Sequence, residues 1–96
     1  MLKELDPLLH SQLRLAVVSL LMTVEEADFV YLRKQTGATA GNLSVQIDKL
    51  AGAGYIEVRK EFVGKKTRTA YRMTARGREA FEAYVSALQA YIAPNR

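Results

Sequence analysis

Residues 55–73, "YIEVRKEFVGKKTRTAYRM", limit the possible folds more than any other stretch of the chain. Ile56 and Val58 alternate with Glu57 and Arg59, and beyond the glycine-containing turn "VGKK" Tyr71 and Met73 alternate with Ala70 and Arg72. Period-two patterning on both sides of a short turn predicts a β-hairpin. The segments before and after it have helical spacing, so the expected class is mainly α with one small hairpin, an α+β architecture. A length of 96 residues suits a single domain over 1–96, without room for a separate catalytic or ligand-binding domain.

Asp6 followed by Pro7 predicts the start of a first helix over 7–22, because Asp accepts orphan amide bonds and proline tolerates the first helical position. Leu9, Leu13, Ala16, Val17 and Leu20 recur at helical spacing, and Leu8, Leu15, Val18, Leu21 and Met22 cover much of the other side. A helix apolar on most faces needs cover all round, which a partner chain could supply. "TVEE" fits a capping box, with Thr23 as N-cap and Glu26 at N3, opening a second helix over 24–35 that Gly37 ends. Thr39 caps a third helix, 39–53, whose Leu43, Ile47 and Leu50 share one face. Thr74 caps the last, 75–92, where Phe81, Tyr84, Val85, Leu88, Tyr91 and Ile92 form an apolar stripe that Pro94 stops.

Charge is concentrated in one place. Residues 55–78 hold eight Lys/Arg against Glu57 and Glu61, a balance of +6 in a chain whose total is +4, so the remainder sums to −2. There is no cysteine, which excludes disulfides, thiolate nucleophiles and Cys-based zinc sites. The N-terminus lacks the pattern of a secretion signal, and the apolar run "LAVVSLLM" falls far short of the roughly 20 residues that span a bilayer. A cytoplasmic protein with no membrane association is the simplest expectation.

The order helix, helix, helix, basic hairpin, helix, with the small-residue turn "TGATA" between the second and third helices, is that of a winged helix-turn-helix. In such a motif the second helix of the pair enters the major groove, which displays a distinct donor and acceptor pattern for each base pair. That helix is 39–53, where Asn42, Ser44 and Gln46 can donate and accept, Ala40 and Gly41 permit close approach, and Thr39 and Lys49 flank them. Lys65, Lys66 and Arg68 at the hairpin tip would follow a phosphate backbone or dip into a minor groove, giving salt-sensitive affinity. Arg76 and Arg78 oppose the macrodipole at the start of the last helix, which a nearby phosphate would explain.

These residues resemble the small winged-helix transcriptional regulators of bacteria and archaea related to the MarR, ArsR and PadR groups. The resemblance covers nearly the whole chain and is most specific in "GNLSVQIDKLAGAGYIEV" and "GKKTRTAYRMTARGREAF". It implies a homodimer through the first and last helices, with Asn42, Ser44 and Gln46 facing bases and Lys65, Lys66 and Arg68 in the wing. Gln46 stands where histidine is commoner and Thr67 where proline is, departures that bear on sequence preference and wing stiffness. Such a dimer would set its two recognition helices about 34–36 Å apart and call for a pseudo-palindromic site.

Other chemistries find little support. His10 is the single histidine, Glu25 and Glu26 are explained by capping, and "GAGYIE" lacks the third glycine and the strand-to-helix order of a dinucleotide fingerprint. With no nucleophile, base and orienting group, the chain reads as a non-enzyme without cofactor or metal. No residue cluster indicates a small-molecule effector, for which the space between the first and last helices is the place left. The expected function is sequence-specific binding of double-stranded DNA by a homodimeric regulator, the alternative being an interaction module whose hairpin meets an acidic protein.

Overall fold

The computed structural model describes residues 2–93; Pro94, expected to stop the last helix, lies outside them. Four helices and three strands follow in the order α1 (Gln12–Leu21), β1 (Ala27–Asp28), α2 (Phe29–Thr36), α3 (Ala40–Gly52), β2 (Ile56–Val63), β3 (Lys66–Met73) and α4 (Ala75–Ile92). The sheet is antiparallel in the order β1-β3-β2, so the hairpin gains a third, very short strand. This is a winged-helix α+β fold.

The first helix begins at Gln12, not at residue 7. Asp6 does cap, its Oδ1 accepting from Leu8 N at 2.9 Å, but only a single turn follows, closed by the Leu9 and His10 amides on the Asp6 carbonyl. Ser11 is then extended (φ −150°, ψ 128°), and the break lets Leu9 drop fully into the core. The second helix also starts later than expected, at Phe29. Thr23 closes the end of α1 by donating to the Leu20 carbonyl, and Ala27 and Asp28 join the sheet opposite Tyr71 and Ala70. Asp28 is the actual cap of α2, accepting from Tyr31 N at 2.8 Å. A capping box at Thr23 and Glu26 would need the chain to run on as helix, and Ala27 and Asp28 are held in the sheet instead.

Leu9, Val17, Val18, Leu21, Leu32, Leu43 and Leu50 are the fully buried centre, and Ile56, Tyr71 and Met73 close it from the sheet. Truncating one such leucine to alanine costs about 2–5 kcal/mol, enough to threaten a small domain. Gly77 shows how tightly α4 docks: a Cβ there would come within 2.1 Å of the Tyr55 carbonyl oxygen. Thr74 fixes the same corner, its hydroxyl donating to Gly54 O and accepting from Gly77 N at 2.9 Å. Beyond that corner α4 runs out of core. Tyr84 is buried but Ile92 is 74% exposed, and the molecule measures 56 × 25 × 21 Å.

Candidate nucleic-acid interface

Thr39 opens α3 as its N-cap, accepting from Asn42 N at 3.2 Å. With Leu43, Ile47 and Leu50 facing inward, 100° per residue puts Gly41, Val45, Asp48 and Lys49 on the outward side, with Asn42 and Gln46 on one flank and Ala40 and Ser44 on the other. Gly41 has no packing reason to be glycine, since a Cβ there would meet nothing within 4 Å. Val45 is 51% exposed at the centre of the outward face.

Gln46 is less free than its residue type suggests. Its Nε2 donates to Asn42 Oδ1 at 3.0 Å, and its Oε1 accepts from Arg14 on α1, whose Nε donates to the Leu8 carbonyl at 2.6 Å. A polar chain thus runs from the N-terminal turn through Arg14 to the edge of α3. The Arg14 contribution is 32 residues away in sequence, and no local pattern announces it.

The hairpin turns at Gly64 and Lys65, between the last pair, Val63 and Lys66. Gly64 has φ 66°, and no non-glycine residue among those described has positive φ, which is the sign pattern of a type II′ turn. Alternation gives the hairpin two different faces. The near face, toward α3, presents Val58, Lys60 and Phe62 beside Tyr71, Thr69 and Thr67, and forms a groove with Ser44 and Asp48. The far face presents Glu57, Arg59 and Glu61 beside Arg72, Ala70 and Arg68.

On the far face the arginines are occupied. Arg59 meets Glu26 at 2.6 Å and Glu61 at 3.0 Å; Arg68 meets Glu61 at 2.5 Å, Asp28 at 3.3 Å and Glu26 at 3.5 Å; Arg72 meets Glu57 at 3.2 Å. The hydrogen bonding from Arg59 is the largest influence on the Glu26 carboxyl and holds it below the ordinary carboxylate range; burial, the next in size, opposes it, and the charge of Arg59 and the hydrogen bond and charge of Arg68 add to the lowering. The same contacts, led by the hydrogen bond to Glu61, raise Arg68 further above neutrality. Arg68 is therefore not at the tip as expected. It stands opposite Glu61, two pairs down the ladder, and is spent on three carboxylates.

Lys65 and Lys66 are at the tip and exposed, and among the described residues neither they nor Lys60 has a carboxylate within ion-pair distance. Lys49 is exposed on α3. Arg76 lies over the Tyr55 ring, 5.9 Å from its centroid, while Tyr55 donates to Asp6 Oδ2 at 2.5 Å, a bond that with burial raises the phenol above its usual range. His10 Nδ1 is 2.9 Å from the Tyr84 hydroxyl, tying the N-terminal turn to α4. Among the described residues no group of three or more His, Asp or Glu is arranged to hold a metal, and no helix is long and apolar enough to cross a membrane.

Sequence comparison matches residues 13–92 to the family described as winged helix DNA-binding domain. An uncharacterized protein of Methanocaldococcus jannaschii is 32% identical over 76 residues, covering 79% of this chain and 83% of its own. Among solved structures, a transcriptional regulator homologue from Pyrococcus horikoshii superimposes with a TM-score of 0.82 at 28% identity, over 88% of this chain and 84% of that one. A MarR family regulator from Silicibacter pomeroyi shares the fold at a TM-score of 0.67 and 19% identity, over 86% of this chain and 55% of its own.

Proposed function

Because the chain belongs to the winged helix DNA-binding domain family, we propose that it is a transcriptional regulator that reads double-stranded DNA sequence-specifically as a homodimer. In this reading α3 enters the major groove with Thr39, Ala40 and Gly41 leading. Asn42, Ser44 and Gln46 read base edges, Val45 offers an apolar contact of the kind a thymine methyl accepts, and Lys49 supports them. Lys65 and Lys66 lie on phosphates. Arg68 belongs instead to the ion-pair cluster that holds the wing in shape, and Arg14 positions Gln46.

The observation that carries the reading is the pairing of an outward α3 face lacking any internal partner with a hairpin whose tip lysines are unneutralised. The dimer rests on α4, whose exposed Tyr91 and Ile92 extend the buried stripe past the reach of the chain's own core. Light scattering on the purified protein checks it: a mass twice that of the 10.7 kDa chain is expected.

Fluorescence anisotropy with a labelled random duplex at two salt concentrations, followed by selection of bound sequences, tests the whole. Binding that weakens with salt and a selected sequence with two related half-sites are expected. A folded protein that binds no duplex even at low salt would overturn the reading and favour an acidic protein as the hairpin's partner.

A further inference from the structure

Phe62 has no part in the reading so far. It is 79% exposed, more than any other large apolar side chain among the described residues, and its neighbour Val63 is 59% exposed. It sits on the near face opposite Thr67, one pair before the tip, with Lys60 two residues back on the same face and Lys65 and Lys66 just beyond. Nothing in the described chain covers the ring.

Phe62 has the unpaired Lys60 on its own face and the lysines of the tip, Lys65 and Lys66, just beyond it, a setting that poorly matches an ordinary apolar pocket, which would bury those charges without partners. Duplex DNA offers both chemistries at once. The minor groove is bordered by two rows of phosphates, and between them lies a base stack into which apolar side chains are known to wedge. The far face is braced: Arg59 binds Glu26, and Arg68 binds Glu26 and Asp28, residues just before and within β1 and not of the hairpin. That anchorage lets the tip press on a partner without folding back.

We infer that Phe62 is a wedge that enters the minor groove beside the α3 site, partly unstacks one base step and bends the duplex. The inference rests on the DNA-binding reading and adds to it a source of sequence preference. Pyrimidine–purine steps such as TA and CA/TG unstack most readily, so the wing would select them without a hydrogen bond to any base.

The test uses the selected duplex carrying 2-aminopurine, whose fluorescence rises when it is unstacked, placed in turn at each step outside the α3 contact. End-labelled energy transfer on the same duplex reads the bend. Wild-type protein should raise the fluorescence at one step per half-site and bend the duplex by about 20° or more. Phe62→Ala should lose both signals while keeping the salt slope of wild type; Phe62→Leu should keep most of both, since leucine also wedges. The ring is exposed, so neither change threatens the fold. Duplex binding with a normal salt slope but no change in 2-aminopurine fluorescence would overturn the wedge and leave the DNA reading standing. Absence of duplex binding by wild type would overturn both.

Discussion

The far face of the wing hairpin carries three arginines, its near face and tip together three lysines, and the two sets behave differently. On the far face three arginines, Arg59, Arg68 and Arg72, each meet at least one carboxylate, whereas on the near face and tip three lysines, Lys60, Lys65 and Lys66, meet none. Residue type follows the division. A planar guanidinium with several donors can serve two or three carboxylates at once, and a strongly hydrated ammonium suits contact with a polyanion through solvent. The +6 counted along residues 55–78 therefore overstates what a partner meets. Two of the neutralising acids, Asp28 of β1 and Glu26 just before it, come from outside that window.

The sharpest way to break the comparison is to remove cations from the tip and from the far face separately. Lys65→Ala with Lys66→Ala should weaken binding to every duplex and flatten the plot of log K against log salt by about 1.8, for two phosphate contacts at roughly 0.9 each. Over a fourfold rise in salt that is about a tenfold smaller loss of affinity. Arg68→Ala should leave the slope close to wild type and instead lower the denaturation midpoint, because Glu26, Asp28 and Glu61 would then face one another with only Arg59 among them. A double variant that flattened the slope no more than Arg68→Ala would show that the distinction between the faces is false.

Why the far-face cluster escaped a reading of the sequence is a matter of range. Signals carried by residues three or four apart were legible: the caps at Thr39 and Thr74, the inward face of Leu43, Ile47 and Leu50, and the two-residue turn at Gly64. Signals that depend on a distant partner were not. Thr23 and Glu26 have the right spacing for a capping box, but Glu26 is claimed by Arg59 and the following Ala27 by strand pairing with Tyr71. The Asp6 cap is real and ends after one turn because burying Leu9 outweighs continuing the helix. β1 is two residues long, too short for any period to register. Of the proposed DNA contacts, Lys65 and Lys66 could be chosen from position alone, whereas the detachment of Arg68 and the arrival of Arg14 at Gln46 needed the fold.

A smaller effect separates stability from binding on α3, the other wall of the near-face groove. Gly41→Ala should stabilise the protein by about 0.5–1 kcal/mol, since alanine is the better helix former and the added methyl meets nothing in the chain. Its affinity for the selected duplex should nonetheless fall, because the methyl stands where the helix end would approach DNA. A variant more stable in chemical denaturation and equally tight in anisotropy would place the DNA elsewhere and detach α3 from the near face as a binding surface.

The smallest effect expected is a pH dependence confined to the far face. The Glu26 carboxyl titrates lower in the folded chain than in the unfolded one, chiefly through its hydrogen bonds from Arg59. Its contribution to stability is therefore fully present above the ordinary carboxylate range and is lost as pH falls through the lowered folded value. Protonation there also leaves Arg59 and Arg68 near one another with less negative charge between them, so the loosening acts on the brace of the wing. The melting temperatures of wild type and Glu26→Gln should differ at neutral pH and converge in acid. A gap between the two proteins that stayed constant to the lowest pH at which both fold would mean that Glu26 contributes by packing and not as an anion, and the far face would then lose its standing as an electrostatic brace.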